Sequence, residues 1–481
     1  MSVSTTPVES VRVRPVSGCG TLESPWAGWE DQVDSPTARR EGQTLEFGSG
    51  FWALSRPVRL RTGATLTSAA GSDGRPWFLP AANCRGMDTL FKIDGAHDVT
   101  LLNVCLNGRD KTTRHGLVVR CGTHVQVKAC RFGDFRDDEG AAILLCGESE
   151  DRPVREIVVQ DCKFLNGFHG IRLERDLSDL LIHGNRFEEI EGPALRIDPK
   201  DRWADFGLIA VQNRIIRNNA ANRGSYLTIL PGAEGIRLAD NSFEGPEGRR
   251  GEPCTAVEIR GGGPMSRRRL ELVNNRISCV PGAAVHARQC GPGFLAAGNH
   301  AISCGGDEHA VLHFEACHGI VVEDNEVREP SSVGILARDC ARARLNGNDV
   351  EGSCDGLAPR GGTSGVAVTG DGSVRVRVTD NRAHGLRESG IRVEGGRGTR
   401  VVGNEIQDCG AGIRVQKTRR VVLVGNDCRD NGDGGILLEP DTARGYVALN
   451  YAILNGPCDL VVRGQGVRVH DNKVDRESRE A

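Results

Sequence analysis

Short apolar runs that each end in an asparagine recur along most of this chain, and this repeat constrains the fold most strongly. The closing asparagine, or a cysteine in the same slot, occurs at Asn103, Cys130, Cys162, Asn185, Asn213, Asn241, Asn275, Asn299, Asn325, Asn348, Asn381, Asn404, Asn426, Asn450 and Asn472. Between residues 103 and 472 there are 14 steps, so the mean spacing is about 26 residues. A period of this length with two or three short strands per unit is typical of a solenoid.

Apolar and polar residues alternate within each unit, which predicts strands rather than helices. In "GIRLE", Ile171 and Leu173 point to one side and Arg172 and Glu174 point to the other. A unit with one apolar side cannot bury it alone, so successive units stack and their strands run parallel at ~4.8 Å. We expect asparagine at tight corners, because its side chain tolerates left-handed backbone and can hydrogen-bond along the stack.

Composition excludes several classes of protein. The 63 glycines among 481 residues argue against a helical bundle, and 38% hydrophobic residues argue against disorder. A net charge of −3 disfavours a nucleic-acid or membrane partner held by bulk charge.

The chain starts without a basic-then-apolar signal region and has no apolar run of membrane-spanning length, so we expect a cytoplasmic protein. The 17 cysteines lack a CxxC pair, which predicts free, mostly buried thiols.

The repeat resembles the right-handed parallel β-helix of the pectate-lyase-like superfamily. The opening "TLEFGSGFWALSRPVRLRTGATLTS" (44–68) is also similar to the first coil of that superfamily. The resemblance implies an all-β chain that forms a right-handed parallel β-helix of roughly 14–16 coils over residues 44–475. Residues 1–43, with Trp26 and Trp29, are then expected to form an arm or cap over an open coil end, and residues 476–481 a charged tail.

The positions equivalent to Arg172 form a column on the outward face of one predicted sheet. The column reads Val118, Leu144, Arg172, Arg196, Thr228, Glu258, His286, His313, Leu336, Ala367, Arg392, Arg414 and Leu437. Cross-strand partners lie about 5 Å apart, so neighbouring members are within contact distance. The middle of this face is nearly continuous charge and imidazole, which favours a functional groove. The alternative is a solvated face whose charges only discourage aggregation.

One group of residues on this face is similar to the polygalacturonase branch of the superfamily, whose motifs occur in the order Asp-Asp, Gly-His-Gly and Arg-Ile-Lys. The matching residues here are Asp137 and Asp138, His169 and Gly170, and Arg196 and Ile197. The branch's Asn-Thr-Asp is "TRHG" in this chain, and the lysine position is Asp198, with Lys200 beyond it. The missing third aspartate argues against inverting hydrolysis by two carboxylates.

These residues and their neighbours form the predicted active site. The expected catalytic residues are Asp137, Asp138, His169, Arg172, Arg196 and Asp198. The expected substrate-binding residues are Glu174, Lys200, Trp203, Glu258 and Arg260. Asp138 or His169 would transfer protons, while the arginines would bind a carboxylate or phosphate and stabilise the developing anion.

A second group of residues on the same face indicates a metal. His286 and His313 occupy adjacent rungs next to Glu258, and together they could hold a divalent ion that is open to solvent, or act as an acid/base set. A divalent metal is the only cofactor that the residues indicate.

The favoured function is an intracellular enzyme of the pectate-lyase-like type. It would act on a carbohydrate or small acidic metabolite by lyase, epimerase or isomerase chemistry, or by glycosidic C–O cleavage. Because Trp and Tyr are scarce, the expected partner is a small acidic or sugar-like substrate rather than a long polymer. Two alternatives are a non-catalytic β-helix scaffold that binds a protein or glycan, and a metal-dependent isomerase or cyclase centred on His286 and His313. The oligomeric state is left open.

Overall fold

The described part of the chain is nearly all β, with its strands in three parallel sheets. The computed structural model describes residues 10–15, 17–34, 42–84, 86–110, 112–149, 151–200, 204–216, 224–246, 254–261, 269–306, 309–352 and 364–479. They fall into two units, Met1–Ile236 and Arg237–Ala481. In each unit the chain visits the three sheets in turn, and strands pair in parallel with those one coil away. The expected right-handed parallel β-helix is confirmed, with about 15 turns in all.

The first unit contains short strands that follow the order sheet 1, sheet 2, sheet 3. Sheet 1 holds Ser10–Arg12, Thr44–Phe47, Thr65–Ser68, Thr100–Leu102, Thr123–Lys128, Val154–Gln160, Leu177–His183 and Ala204–Val211. Sheet 2 holds Gly50–Leu54, Pro76–Pro80, Cys105–Asn107, Arg131–Gly133, Lys163–Leu165, Arg186–Glu188 and Arg214–Ile216. Sheet 3 holds Val58–Leu60, Met87–Asp94, Thr113–Arg120, Ala141–Cys146, His169–Glu174, Leu195–Asp198 and Ser225–Ile229. The one helix among the described residues is Glu30–Asp34.

The second unit repeats this order, and the sheet 1 strand Ala233–Ala239 spans the boundary. In this unit sheet 1 holds Leu270–Val273, Phe294–Ala297, Val321–Glu323, Arg344–Asn346, Arg377–Thr379, Arg400–Val402, Val422–Val424, Tyr446–Ala448 and Arg468–His470. Sheet 2 holds Ser242–Glu244, Arg276–Ser278, His300–Ile302, Glu326–Arg328, Asp349–Glu351, Arg382–His384, Glu405–Gln407, Asp427–Arg429, Tyr451–Ile453 and Lys473–Val474. Sheet 3 holds Thr255–Arg260, Val285–Arg288, Leu312–Glu315, Ile335–Arg338, Ser364–Thr369, Ser389–Glu394, Ala411–Gln416, Gly434–Leu438, Leu460–Val462 and Glu477–Arg479.

Like residues stack on like residues inside the coils, as the alternation predicted. Phe132 and Phe164 stack at 5.0 Å between ring centroids, and Phe164 and Phe187 stack at 4.6 Å. Ile171 in the first unit and Leu312 in the second are both buried. Each such side chain contributes about 1.5–3 kcal/mol by leaving water, so the ladders supply the main driving force of the fold.

Asparagines form a hydrogen-bonded ladder, as expected. The expectation that these asparagines themselves adopt the left-handed backbone at the corners was wrong. In the second unit each ladder amide donates to Oδ1 of the next asparagine at 2.8–3.0 Å, from Asn241 to Asn472. The left-handed backbone belongs to the preceding residue, such as Asp324 (φ 53°) or Gly347 (φ 63°). Asparagine is therefore used for its buried amide, which satisfies neighbouring polar groups, and not for its backbone tolerance.

Asn103 does not belong to this ladder. The alignment of the repeats on their closing asparagines is therefore wrong by one residue at this coil. Asn103 itself has a left-handed backbone, with φ 56°. The ladder slot is filled by the buried Val104, whose carbonyl accepts a hydrogen bond from Arg131 N at 2.9 Å. Asparagine is common both at left-handed corners and in the ladder, so the residue type alone could not set the register.

Parallel pairing extends past both expected ends of the β-helix. Ser10–Arg12 pairs with Thr44–Phe47, and Glu477–Arg479 pairs with Leu460–Val462. Trp29 is fully buried, and its Nε1 donates to the Ala53 carbonyl at 2.8 Å. Segments assigned to a cap and a tail thus contribute strands and core residues. Among the described residues, no helix has the length and apolar character needed to cross a bilayer.

Free cysteines differ sharply in their environments, and this predicts selective alkylation. Burial raises the pKa of Cys304 to about 12, whereas hydrogen bonds with Thr21 and Ser24 lower the pKa of the exposed Cys19. Because the thiolate is the nucleophile, iodoacetamide at neutral pH should modify Cys19 at least about 100-fold faster than Cys304. Peptide mass spectrometry over time measures both rates, and equal rates in the folded protein would contradict the described burial.

Candidate functional site

Sheet 3 aligns the predicted column as the sequence indicated. The register pairs Leu144 with Arg172 and Arg172 with Arg196 in the first unit, and Glu258 with His286 and His286 with His313 in the second.

However, most side chains in this column are buried, although the sequence predicted a solvent-exposed charged face. The exposed fraction is 8% for Arg172, 4% for His286 and 3% for His313. Segments outside the sheet contribute to this burial. Val333, for example, packs against a buried cluster that includes Leu336 and Ala367. Charges on this face therefore act in a partly dehydrated setting, where electrostatic interactions are stronger than in water.

Five charged residues at the ends of two neighbouring sheet 3 strands form what we call the Arg172–Lys200 cluster: Arg172, Glu174, Arg196, Asp198 and Lys200. Arg172 Nη2 lies 2.8 Å from Glu174 Oε1, and Arg196 Nη2 lies 3.3 Å from Asp198 Oδ2. Lys200 Nζ lies 3.6 Å from Glu174 Oε1 and 3.4 Å from Asp198 Oδ2. Those two carboxylate oxygens are consequently no more than about 7 Å apart.

A glycine allows the two strands of this cluster to approach. A Cβ at Gly170 would lie 2.5 Å from the Ala194 carbonyl oxygen and 2.6 Å from the Phe187 ring, distances that real Cβ atoms do not reach. Gly170 comes between His169 and Ile171 at the start of the strand His169–Glu174. The tight packing there fixes the strand that carries His169, Arg172 and Glu174 against the following strand.

Both carboxylates of the cluster are nearly buried and held by cations. The side chains of Glu174 and Asp198 are 12% and 11% exposed. Burial alone would raise the pKa of Asp198, but the Lys200 N–H, the Lys200 ammonium and the Arg196 guanidinium together bring it below its ordinary value. Asp198 is therefore ionised at neutral pH, which suits a base or a cation-orienting group and not a general acid.

Two atoms of the cluster and one of the adjacent His169 are buried and have no hydrogen-bond partner in the structure. These atoms are Arg172 Nε, Arg196 Nε and His169 Nδ1. Arg172 Nη1, by contrast, donates to the Glu139 carbonyl at 3.2 Å. An unpaired buried donor costs about 1–3 kcal/mol, so two adjacent guanidinium groups with spare N–H donors are well suited to bind an anionic ligand.

His169 is buried beside these arginines. Burial first, and then the positive charges of Arg196 and Arg172, lowers the pKa of His169 to about 3. The imidazole is therefore neutral at pH 7.

This buried imidazole predicts a specific dependence of stability on pH. An unfolded histidine binds a proton below about pH 6.5 and the folded His169 does not, so its contribution to stability is lost as pH falls from 6.5 toward 3. His169→Asn should reduce the loss of unfolding free energy between pH 7 and pH 5 by about 1–2 kcal/mol. Urea unfolding of the native chain and of His169→Asn at the two pH values measures this loss of unfolding free energy. An unchanged difference would show that His169 titrates normally in the folded state.

The remaining predicted site residues are not part of the cluster. Asp137 Oδ1 accepts from Glu139 N at 3.2 Å in the turn before Ala141–Cys146, and Asp138 in the same turn is exposed. Trp203 lies outside the described residues. In the second unit, Arg260 Nε donates to Glu258 Oε1 at 3.0 Å.

Three histidines of the second unit lie together, and the sequence identified two of them. His286 and His313 stack with ring centroids 4.5 Å apart and planes 12° apart. One ring nitrogen from each of His286, His309 and His313 lies within 4.8 Å of the other two. His309 was missed because it lies in the turn before the strand Leu312–Glu315. The alternation of apolar and polar residues has not begun in that turn. Its only signal is the spacing of four residues to His313.

Sequence reasoning also missed a cavity of about 600 Å³ in the second unit. It is lined by Arg387, Glu388, Ser389, Arg392, Ala411, Arg414, Gln416, Asp433 and Leu437. Arg392 donates to Glu394, which lowers the pKa of that carboxyl to about 2, and Arg414 Nη2 donates to Glu439 Oε1 at 3.0 Å. Carboxylates of the protein therefore already engage the Arg392 and Arg414 guanidinium groups.

Comparisons with known proteins agree with this fold. The family model described as right handed beta helix region matches residues 360–479. The pre-mature bacteriophage phi29 gene product 12 is similar at a TM-score of 0.50 and 11% identity, over 89% of this chain and 68% of that chain. The catalytic domain of a GH87 alpha-1,3-glucanase, in complex with nigerose, has a TM-score of 0.42 and 10% identity, over 88% of this chain and 67% of that chain. The alginate lyase AlyF has a TM-score of 0.42 and 16% identity, over 73% of this chain and 83% of that chain. A search of curated proteins gives no match.

Proposed function

We propose that this protein is a carbohydrate-active enzyme whose substrate carries a carboxylate, and that the Arg172–Lys200 cluster is its active site. The observation that carries the proposal is the pair of buried Nε–H donors of Arg172 and Arg196, which have no partner in the structure. A sugar carboxylate would accept both hydrogen bonds once the two guanidinium groups turn toward it, and would compensate the cost of burying these donors.

The ionised state of Asp198 favours one reaction class over another. Hydrolysis of a glycosidic bond needs a carboxylic acid that is protonated at neutral pH. Asp198 has a lowered pKa, because Lys200 and Arg196 outweigh the effect of burial. A site with an ionised base and cations suits the removal of a proton from the carbon next to a carboxylate. We therefore propose a lyase or an epimerase rather than a hydrolase.

In the proposed reaction, Glu174 or Asp198 accepts the proton from the carbon next to the substrate carboxylate. The electron pair left on carbon delocalises into that carboxylate, and Arg172 and Arg196 stabilise the added negative charge. In a lyase, the pair then forms a carbon–carbon double bond as the oxygen on the neighbouring carbon leaves and takes the proton back from the carboxyl group. In an epimerase, a proton from solvent adds to the opposite face of the carbon, and the carboxyl group releases its proton to solvent. His169 is neutral and buried, so we assign it to positioning rather than to proton transfer.

Solvent deuterium incorporation tests this reaction class directly. The protein is incubated in deuterated buffer with uronic acids and short uronate oligosaccharides, and proton NMR follows the signal next to the carboxylate, together with ultraviolet absorbance for an unsaturated product. We expect exchange at that carbon or elimination, and no reaction with the matched neutral sugars. Hydrolysis without exchange, or equal reaction of neutral sugars, would contradict the proposal.

A further inference from the structure

Three imidazoles converge in the second unit at a place where the described structure gives them few hydrogen-bond partners. His286 and His313 lie on adjacent strands of sheet 3, directly paired in register. His309 approaches them from the turn before the second strand, with ring centroids 5.5 Å from His286 and 6.2 Å from His313. Convergence of three such side chains from different segments is the arrangement that metal sites in proteins use.

The hydrogen bonding of these rings is incomplete. Both ring nitrogens of His313, which is 3% exposed, and Nδ1 of His309 are buried without a partner. A neutral imidazole has one donor and one acceptor, so His313 leaves both unused. Buried polar groups are normally paired, and an unpaired one calls for a bound water or ion. A metal ion at the centre of the three rings would use one lone pair from each.

The protonation state of the rings suits a metal ligand. Burial first, and then neighbouring histidines and arginines, lowers the pKa of His313 to about 3. Burial and Arg288 lower the pKa of His286 to about 4, against the opposing effect of Glu315 and Glu258. Both rings are neutral at pH 7, the form in which imidazole binds metals. Imidazole suits zinc, copper, nickel and iron, whereas calcium and magnesium prefer oxygen ligands.

Charged neighbours set the conditions for binding. Glu315 Oε2 lies 3.7 Å from His286 Nε2 and adds negative charge that favours a cation. Arg288 Nε donates to the same His286 nitrogen at 3.0 Å and therefore competes with a metal for it. The Arg288 side chain is 45% exposed, so it can withdraw into solvent when an ion binds.

The separation of the nitrogens requires only a small adjustment. Zinc–nitrogen bonds of about 2.1 Å in a tetrahedral site place the nitrogens about 3.4 Å apart. The three nitrogens already lie within 4.8 Å of one another, and rotations of the side chains can close that difference. Three protein ligands would leave a fourth position for water.

We propose that His286, His309 and His313 form a binding site for a divalent transition-metal ion of the zinc class. The site replaces the combination of His286, His313 and Glu258 that the sequence indicated, because Glu258 accepts hydrogen bonds from Arg260 while His309 faces the two other rings.

Metal titration of the full chain, purified without a histidine tag and stripped with a chelator, tests the site. We expect isothermal titration calorimetry to show that one Zn²⁺ binds tightly per chain. His309→Gln and His313→Gln should each lower the affinity for Zn²⁺ at least about 100-fold. His300→Gln is the matched control, because His300 is a partly exposed histidine of the same unit that lies 3.6 Å from Glu326 and outside the site. Arg288→Ala should bind Zn²⁺ at least as tightly as the native chain, since it removes the competing donor.

Cobalt substitution separates this site from binding by cysteines. Co²⁺ should give visible absorption of a nitrogen-ligated tetrahedral or five-coordinate ion, without the intense near-ultraviolet band of a thiolate ligand. Circular dichroism of each variant confirms that it is folded, and an increase in melting temperature on adding Zn²⁺ provides a second readout. No tight site in the native chain, a thiolate spectrum, or unchanged affinity in His309→Gln would overturn the proposal.

Discussion

Asn325→Ala is expected to lower the free energy of unfolding by about 3–5 kcal/mol, the largest stability effect that we predict for a single polar side chain in this protein. Asn325 Oδ1 accepts from the backbone N and from Nδ2 of Asn299, at 3.0 and 2.9 Å. Its own Nδ2 donates to Ala296 O and to Asn348 Oδ1, both at 2.9 Å. Alanine removes all four bonds, leaves the buried Asn299 N without its acceptor, and takes one partner from each of three further groups on the two neighbouring coils.

A second asparagine of the same unit provides the control for this prediction. Asn346 is only partly buried, and its Oδ1 accepts one hydrogen bond from Thr379 Oγ1 at 2.7 Å. Asn346→Ala should therefore cost less than about 1 kcal/mol. Urea denaturation followed by circular dichroism measures both variants. Equal effects would mean that the ladder contributes nothing beyond an ordinary surface hydrogen bond.

Arg196→Ala is expected to lower kcat/KM at least about 1000-fold on a carboxylate-bearing sugar, with little change in melting temperature. The Arg196 side chain is 34% exposed, and Asp198 keeps Lys200 as a partner at 3.4 Å when the guanidinium is lost. The variant should therefore fold, while the developing negative charge on the substrate loses one of its two stabilising arginines.

Arg59→Ala is the matched control, since Arg59 also lies on sheet 3 of the first unit and pairs with a carboxylate. Arg59 Nη2 lies 2.8 Å from Asp94 Oδ2, and its side chain is 54% exposed. Its replacement should leave kcat/KM within about twofold of the native value, because exposed ion pairs contribute little. If Arg59→Ala and Arg196→Ala lower activity equally, the effect is general and not specific to the cluster.

Arg172 is less suitable for this experiment. Its side chain is 9% exposed, and its loss would remove the closer of the two cations that contact the nearly buried Glu174. We expect Arg172→Ala to lose both activity and stability, so its kinetics would not separate the two effects.

The sequence predicted the fold because the fold depends on a local pattern repeated many times. Alternation and the Asn-ended runs specify strand direction and stacking in every coil, so an error at Asn103 shifts one coil without changing the architecture. The register of the outward column followed from the same repetition, as the pairing of Arg172 with Arg196 confirms.

The candidate site was harder to predict because it depends on segments outside the repeat. The segment that contains Val333 helps to bury a face expected to be exposed, and His309 enters its cluster from a turn. The pairing of Arg260 with Glu258 depends on rotamers that no spacing rule specifies. Gly170, by contrast, is required by the close packing of its strand, which the His-Gly motif alone did not reveal.

A crystal structure of the protein with a uronate-containing disaccharide tests the central functional claim most directly. We predict that the sugar carboxylate lies within about 3 Å of Nε of Arg172 and of Arg196, with its neighbouring carbon facing Glu174 or Asp198. A disaccharide found instead in the cavity lined by Arg387, Arg392 and Arg414, with the two Nε atoms still unpaired, would contradict the account.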